Sequence, residues 1–229
     1  MPASEDLELY LRPTWFIDCD TPTVRRRAEE VVAGATSDEQ RAVRLFYAVR
    51  DGVRYDPYSI TRDPADYRAS TVVGRRTAYC IPKAVLLTAL ARAVGIPARL
   101  GFADVRNHLA SEKLLAWLGT DLFVFHGFTE FRLAGRWVKA APAFNIELCE
   151  RFGVRPLEFD GRSDALFHQY SVDGRRHMDY VAERGSFADL PLEEIMRTFA
   201  SHYGDIPVSV GRGRDELFDP LGEAPAPGT

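Results

Sequence analysis

Lysine is scarce in this chain. Only three of its 29 basic residues are lysines, at positions 83, 113 and 139, and the formal net charge is -4. The sequence has no long basic run and no stretch in which basic and aromatic residues alternate. These are the features by which a general nucleic-acid-binding protein is recognised. We therefore expect no nucleic-acid partner.

Cysteine is equally rare. Cys19, Cys80 and Cys149 are widely spaced and odd in number, so they form neither a disulfide framework nor a closely spaced zinc pattern. This usage predicts free thiols, no bound metal and no other cofactor. No acidic loop of the kind that binds calcium is present either. Free thiols favour a cytoplasmic protein.

Long hydrophobic runs are also missing. The longest apolar stretch, around residues 84–91, is far shorter than the roughly 20 residues that cross a bilayer. The first residues, MPASEDLELYLRPTW, are acidic and lack the basic and then apolar order of a signal peptide. We expect no membrane association and a cytoplasmic location.

The length and composition of the chain are typical of one large domain. The 229 residues are 46% hydrophobic and 27% charged, values that are ordinary for a globular chain with a substantial core. No internal repeat and no clear linker divides the sequence. We predict a single domain over residues 1–218, followed by a disordered tail at 219–229 that is rich in proline and glycine.

Helical patterns dominate the first half. Residues 7–19 alternate loosely and predict an opening strand, and helices are expected after Thr21 and after Ser37, which has capping-box spacing to Gln40. A third helix is predicted over residues 81–94, ending at Gly95. Almost every face of this helix is apolar, so protein should surround it on nearly all sides.

Strand patterns follow the third helix. Residues 96–104 predict one strand, and residues 122–144 predict a β-hairpin that turns at Ala134-Gly135. Short helices are expected at 145–153 and 189–204. The order of these elements predicts an α+β fold in which the third helix packs against an antiparallel sheet.

Cys80 lies at the N-terminal end of the apolar third helix. Unpaired backbone N–H groups and the helix dipole favour a thiolate there, and the thiolate is the nucleophile of cysteine enzymes. A buried cysteine that merely fills space is the alternative. His126 could supply the base from a strand, although His177 and His108 compete with it. Metal binding by Cys80 and His126 is a weaker interpretation, because no closely spaced ligand pair accompanies them.

Three segments carry a family resemblance. CIPKAVLLTALARAVGIPAR (80–99), HGFTEF (126–131) and WVKAAP (137–142) occur in the order of cysteine helix, histidine strand and tryptophan strand. VRYDP (53–57) precedes them. This pattern resembles the transglutaminase-like superfamily, a branch of the papain-like cysteine enzymes. The resemblance covers about residues 40–145 and leaves residues 146–218 as a C-terminal elaboration.

The resemblance implies that Cys80 is the nucleophile and His126 the general base and acid. It implies a hydrolase or acyltransferase, most simply a cysteine protease or amidase that acts on a peptide, protein or small amide. The aspartate that orients the histidine in the family falls on Ala141, which a two-residue turn would place opposite Phe128 and on the face of His126.

The absent aspartate leaves three interpretations open. Another side chain could orient His126, with Asn145 the first candidate and Asp104 and Asp121 more distant ones. A Cys80–His126 dyad could suffice, or the fold could be a catalytically impaired binding module.

Other polar and aromatic residues near this pattern have simpler explanations. Glu130 is expected to pair with Lys139 across the hairpin, Trp137 to anchor the core under the histidine strand, and Lys83 to lie at the solvated edge of its helix. Residues of the last third that could set substrate specificity are Phe167, His168, Tyr170, Arg175 and Arg176.

Overall fold

The computed structural model describes residues 6–108, 110–166, 173–174 and 177–204. Two helices lead the chain, α1 (Pro22–Val32) and α2 (Asp38–Gly52). Pro22 occupies the first turn of α1, where its missing N–H costs nothing. Ser37 caps α2 by accepting the Gln40 N–H at 3.3 Å, as predicted. The Gln40 side-chain oxygen accepts the Thr36 N–H at 3.0 Å instead of the Ser37 N–H, so the capping box forms in one direction only.

Short elements connect α2 to the central helix. The two-residue strands β1 (Arg54–Tyr55) and β2 (Thr77–Ala78) pair in parallel, and the single-turn helix α3 (Ala69–Val72) lies between them in sequence. The predicted opening strand is wrong: Leu7–Tyr10 is a 3-10 helix, capped by the Asp6 carboxylate, which accepts the Glu8 N–H at 3.2 Å. None of its four residues is buried, so the loose alternation of this segment does not correspond to a buried face of a sheet.

The central helix is α4 (Cys80–Ala93), which begins directly after Tyr79. Every residue from Cys80 to Arg92 is buried, as the absence of a polar face predicts. The helices α1, α2 and α3 cover one side of α4, and the main sheet covers the other. The first turn of α4 is therefore held between two layers.

The main sheet is antiparallel, with strand order β5-β4-β3-β6. Its strands are β3 (Ala98–Asn107), β4 (Leu122–Leu133), β5 (Arg136–Ala140) and β6 (Met178–Phe187). The predicted hairpin is confirmed, since Ala134 and Gly135 join β4 to β5 with φ values of +46° and +78°. Two positive φ angles are the signature of the type I′ turn, whose twist matches that of paired strands.

The remaining helices are α5 (Glu112–Leu118), α6 (Ile146–Arg151) and α7 (Leu192–Tyr203). The predicted short helix and final helix correspond to α6 and α7, with Gly204 directly after α7. Strand β6 was not predicted from the sequence. The predicted tail at 219–229 lies outside the described residues. Within the described part of the chain, no helix has both the length and the apolar character that a membrane crossing requires.

Candidate active site

Cys80 is the first residue of α4 and only 8% of it is exposed. Burial raises the pKa of its thiol to about 11, although the backbone N–H groups of Gly127, Ile81 and Cys80 itself act in the opposite direction, as does the Lys83 cation. The backbone N–H groups at the helix start therefore lower the pKa of the thiol, as expected from the sequence, but the increase caused by burial is larger. A thiol in this environment needs a nearby proton acceptor to ionise at neutral pH.

Gly127 brings the sheet close to the sulfur. A Cβ atom at position 127 would lie 3.2 Å from Ile81 Cα and 3.3 Å from Phe102 Cε1, which is tighter than ordinary packing allows. Because Gly127 has no Cβ, β4 approaches the first turn of α4. The backbone N–H of Gly127 then reaches the Cys80 sulfur.

His126 lies on β4, directly before Gly127, and pairs with Ala103 of β3. It is buried, and it borders the same cavity of about 400 Å³ as Cys80. No other histidine lies among the described residues that line this cavity. His108 contacts Asp179 at 2.9 Å between its Nε2 and the carboxylate, and His177 lines a neighbouring cavity to which Cys80 does not contribute among the described residues. Of the three histidines weighed as the base, His126 is the one brought to Cys80.

A β-bulge fixes the backbone before His126. Ala103 pairs with His126 but Val105 pairs with Phe123, so Asp104 faces two residues of β4. Phe125 has a φ of +54°, which a bulky side chain rarely adopts. Strain of this kind persists only where the surroundings hold it in place.

Two side chains hold this bulge. The Asp104 carboxylate accepts the Phe125 N–H at 3.0 Å, and the Tyr203 hydroxyl accepts the Val124 N–H at 2.7 Å. Arg184 of β6 donates to both oxygens of Asp104 at 2.7–3.0 Å. The bulge thus links β6 and α7 to the residue that precedes His126.

Position 141 carries no acceptor for the imidazole. In the β4–β5 register, Thr129 pairs with Ala140. Continuing this register by one residue places Phe128 opposite Ala141, as the sequence predicted. Ala141 is buried and packs against Ala103 and Phe128, and Ala103 is the cross-strand partner of His126. Its methyl group therefore lies on the face of His126 where the family has a carboxylate.

Asn145, the predicted orienting residue, precedes α6 and is buried. Its Oδ1 accepts the Tyr55 N–H at 2.9 Å, and its Nδ2 donates to Glu147 at 2.6 Å. These bonds tie α6 to β1, and an imidazole N–H would have to share the same Oδ1. The orienting role of Asn145 stays a prediction. Asp121, a more distant candidate, binds Arg106 at 2.6 Å.

The environment of Lys83 differs from the one predicted from the sequence. We expected a solvated side chain, but it is fully buried, and its Nζ donates to the backbone carbonyls of Arg50 (2.9 Å) and Val53. These carbonyls lie at the C-terminal end of α2, which the lysine closes. Burial lowers the pKa of Lys83 to about 7.

The expectations for the hairpin are met in part. Glu130 is buried and approaches Lys139 at 4.0 Å, but its closer partners are Arg99 at 2.6 Å and Ser186 at 3.0 Å. Trp137 does not anchor the core: it is half-buried, with the Arg99 guanidinium 4.0 Å from its ring centroid.

A second, larger cavity adjoins the first. Its space of about 660 Å³ includes the part that is open to solvent, and it shares Tyr55, Pro57, Phe123 and His126 with the Cys80 cavity. Among the described residues, no cluster of three or more His, Cys, Asp or Glu side chains could hold a metal ion. Five residues suggested for specificity lie outside the described residues: Phe167, His168, Tyr170, Arg175 and Arg176.

Two residues near the candidate site that sequence reasoning missed are Arg184 and Tyr203, and Asp104 was considered only as a distant partner of the imidazole. No local pattern marks them, because each acts on a bulge formed by strand pairing. A polar residue inside an apolar strand, as Asp104 is in LGFADV, was the only signal available.

A cysteine at the start of a buried helix, next to a histidine on an antiparallel sheet, defines the class of papain-like α+β folds. The family model of the Transglutaminase-like superfamily matches residues 25–142, which are 118 of the 229 residues. The chain belongs to this superfamily.

One solved structure has a similar fold over most of this chain. The "Putative Cysteine Protease from Cytophaga hutchinsonii" is 16% identical with a TM-score of 0.51, and the match covers 82% of this chain and 49% of that protein. The present chain thus spans about half the length of that relative. The periplasmic domain of TgpA from Pseudomonas aeruginosa is 19% identical over 53% of this chain and 42% of that one, with a TM-score of 0.38. No curated protein matches the sequence.

Proposed function

We propose that this protein is a cysteine-dependent acyl-transfer enzyme that hydrolyses an amide or peptide bond through a thioester on Cys80. The observation that carries the proposal is that Cys80 and His126 border one cavity, with backbone N–H groups directed at the sulfur. Peptides, proteins or small amides are the proposed substrates.

The proposed reaction begins with proton transfer from the Cys80 thiol to the His126 imidazole. The thiolate then attacks the substrate carbonyl carbon, and the carbonyl oxygen becomes an oxyanion. The backbone N–H of Cys80, at the positive end of α4, is suited to stabilise that oxyanion. When the C–N bond breaks, the imidazolium returns its proton to the leaving nitrogen, and a thioester remains.

Deacylation is the second half of the proposed reaction, and His126 again acts first as the base. His126 takes a proton from water as the water oxygen bonds to the acyl carbon, the C–S bond breaks, and the proton returns to sulfur. An amine in place of water would give acyl transfer, which is the corresponding transferase reaction.

Alkylation by iodoacetamide tests the Cys80–His126 pair. We expect Cys80 to be labelled faster than a cysteine peptide at pH 7, and Cys80→Ala to abolish that labelling. His126→Ala should leave a thiol with a raised pKa that reacts more slowly than the peptide. Cys19→Ala is the matched control, because it removes a buried thiol that is not among the described lining residues of either cavity.

Acylation by p-nitrophenyl acetate tests the enzyme itself. A burst of p-nitrophenolate that depends on both Cys80 and His126 supports the proposal. The alternative function, a catalytically impaired fold used as a binding module, is favoured by Ala141. It predicts labelling of Cys80 no faster than that of the peptide and no burst, and that result would overturn the enzymatic proposal.

A further inference from the structure

The larger cavity lies beyond His126 as seen from the sulfur. His126 borders both cavities, whereas Cys80 is among the described lining residues of the smaller one alone. Tyr55, Pro57 and Phe123 are also common to both, so the two spaces adjoin across the imidazole. A substrate bound at Cys80 can therefore extend past His126 into the larger cavity.

The walls of the larger cavity are apolar and aromatic. The Phe144 ring is parallel to the His177 ring within 16° at a centroid distance of 6.1 Å, and the Tyr55 ring meets Phe144 edge-on at 4.8 Å. Cys149 and Met178 are buried in the same wall. A lining that is mostly apolar and aromatic, with a few polar groups, is typical of small-molecule sites.

Charge is absent from this cavity as far as the structure describes it. None of its described lining residues is an aspartate, glutamate, lysine or arginine, and the polar ones include Asn107, Ser111 and His177. An ionised side chain placed here would lose its hydration without gaining a partner of opposite charge among these residues. An uncharged apolar group would instead leave water favourably.

The direction of proton transfer decides which part of the substrate extends there. The imidazole that takes the thiol proton must later give it to the leaving nitrogen, so that nitrogen lies against His126. Substituents on the nitrogen then point away from the sulfur. By microscopic reversibility, an amine that attacks the thioester approaches by the same route.

We propose that the larger cavity binds the side chain of the leaving or incoming amine, and that this side chain is an uncharged aromatic or branched aliphatic group. The inference rests on the proposed function. In the transfer direction, the amine nitrogen bonds to the acyl carbon and the C–S bond breaks. His126 carries the proton from the nitrogen to the sulfur, so the products are an amide and the free thiol.

Competition between amines and water for the acyl-enzyme tests this specificity. Wild-type protein is acetylated with p-nitrophenyl acetate, and the ratio of N-acetyl product to acetate is measured with glycinamide, L-phenylalaninamide or the α-amide of L-glutamic acid. The three α-amines have similar basicity. We expect a ratio at least about ten-fold higher for L-phenylalaninamide than for glycinamide, and no gain for the glutamate amide.

Two variants on α6 sharpen the test. Leu148 lines the larger cavity, so Leu148→Trp should fill it and reduce the L-phenylalaninamide ratio to that of glycinamide, while iodoacetamide still labels Cys80. Ile146, on the same helix, is exposed and is not among the cavity's described lining residues. Ile146→Trp is therefore the matched control and should retain the preference.

Binding without chemistry separates the two proposals. We expect 4-fluoro-L-phenylalaninamide to show fluorine line broadening with Cys80→Ala protein and with the added Ile146→Trp change, but not with the added Leu148→Trp change. A burst with equal ratios for all three amines, or no binding to Cys80→Ala protein, would overturn the cavity assignment. Selective binding without any burst would overturn the enzymatic proposal and leave the ligand class of the cavity standing.

Discussion

The Asp104 carboxylate accepts the backbone N–H of Phe125, the residue directly before His126, at 3.0 Å. The family pattern would have a carboxylate bind the imidazole itself from position 141, which is alanine in this chain. Here a carboxylate fixes the backbone that carries the imidazole, and Arg184 fixes the carboxylate. The Asp104 carboxylate therefore acts on the main chain next to His126.

Loss of the Asp104 acceptor should slow Cys80 chemistry. Asp104→Leu frees the Phe125 N–H and leaves Arg184 without its carboxylate, so we expect labelling of Cys80 at pH 7 to fall at least about ten-fold. The free energy of unfolding should fall by about 1–3 kcal/mol. Asp104→Asn keeps an oxygen acceptor and should recover most of the rate, which stability loss alone would not explain.

Asp121→Asn is the matched control for these variants. It also removes a carboxylate from an arginine pair, but from a pair with Arg106 that is partly exposed. Labelling rates and their pH profiles, measured beside thermal unfolding, distinguish the cases. Equal rates for Asp104→Leu and wild type would show that the bulge does not position His126.

Restoring the family carboxylate should increase reactivity. Ala141 lies on the face of His126, so the side chain of Ala141→Asp can accept an imidazole N–H and stabilise the imidazolium. We expect labelling of Cys80 at pH 7 to rise by about ten-fold or more, a fraction of the roughly 10⁴-fold effect that such a residue has in a full triad. Crowding against Phe128 should cost about 1–3 kcal/mol of stability.

Ala141→Leu controls for that crowding, since it adds comparable bulk without an acceptor. It should lose stability without any gain in labelling rate. A rate for Ala141→Asp no higher than that of Ala141→Leu would mean that position 141 does not reach the imidazole.

Lys83 should make stability depend on pH in the alkaline range. Its pKa is about 7 in the folded protein, below the usual value of 10.5, so between these values the unfolded chain binds more protons at this site. Stability contributed by this group therefore rises with pH from about 7 to about 10, by up to about 1.4 kcal/mol per unit.

Comparison of wild type with Lys83→Met isolates this contribution. The difference in unfolding free energy, measured by denaturant titration at pH 7, 8 and 9, should grow as the pH increases. Lys113→Met removes an exposed lysine and should show no such trend. A constant difference across the range for Lys83→Met would contradict the lowered pKa.

Glu130 should stabilise the fold without affecting the reactivity of the Cys80 thiol. Its carboxylate is buried and bonded to Arg99 and Ser186 at the opposite end of β4 from the bulge. Glu130→Gln should lower the free energy of unfolding by about 1–3 kcal/mol and leave the labelling rate of Cys80 within two-fold, roughly the scatter of such effects. A large drop in labelling would instead connect Glu130 to His126.

Local signals explain what the sequence predicted well. The apolar faces of α4 required burial, Ser37 and Gln40 marked a helix start, and Ala134-Gly135 required a tight turn. Each signal lies within a few residues of the feature that it predicts. The register that places Ala141 on the face of His126 followed from the turn alone.

Long-range contacts explain what the sequence did not predict. Strand β6 pairs along β3 with two register shifts and is largely exposed, so it shows no hydrophobic alternation. Lys83 is buried because α2 ends where its side chain can close the helix, 33 residues away in the chain. The bulge before His126 depends on the partner strand and on α7, which no window of sequence contains.

The close approach of Gly127 to α4 makes the site a property of the assembled layers. The sulfur belongs to the helix, while the N–H that reaches it and the imidazole beside it belong to the sheet. A nascent or partly folded chain therefore carries an ordinary cysteine. The surroundings of the sulfur are complete only once α4 and the sheet have packed together.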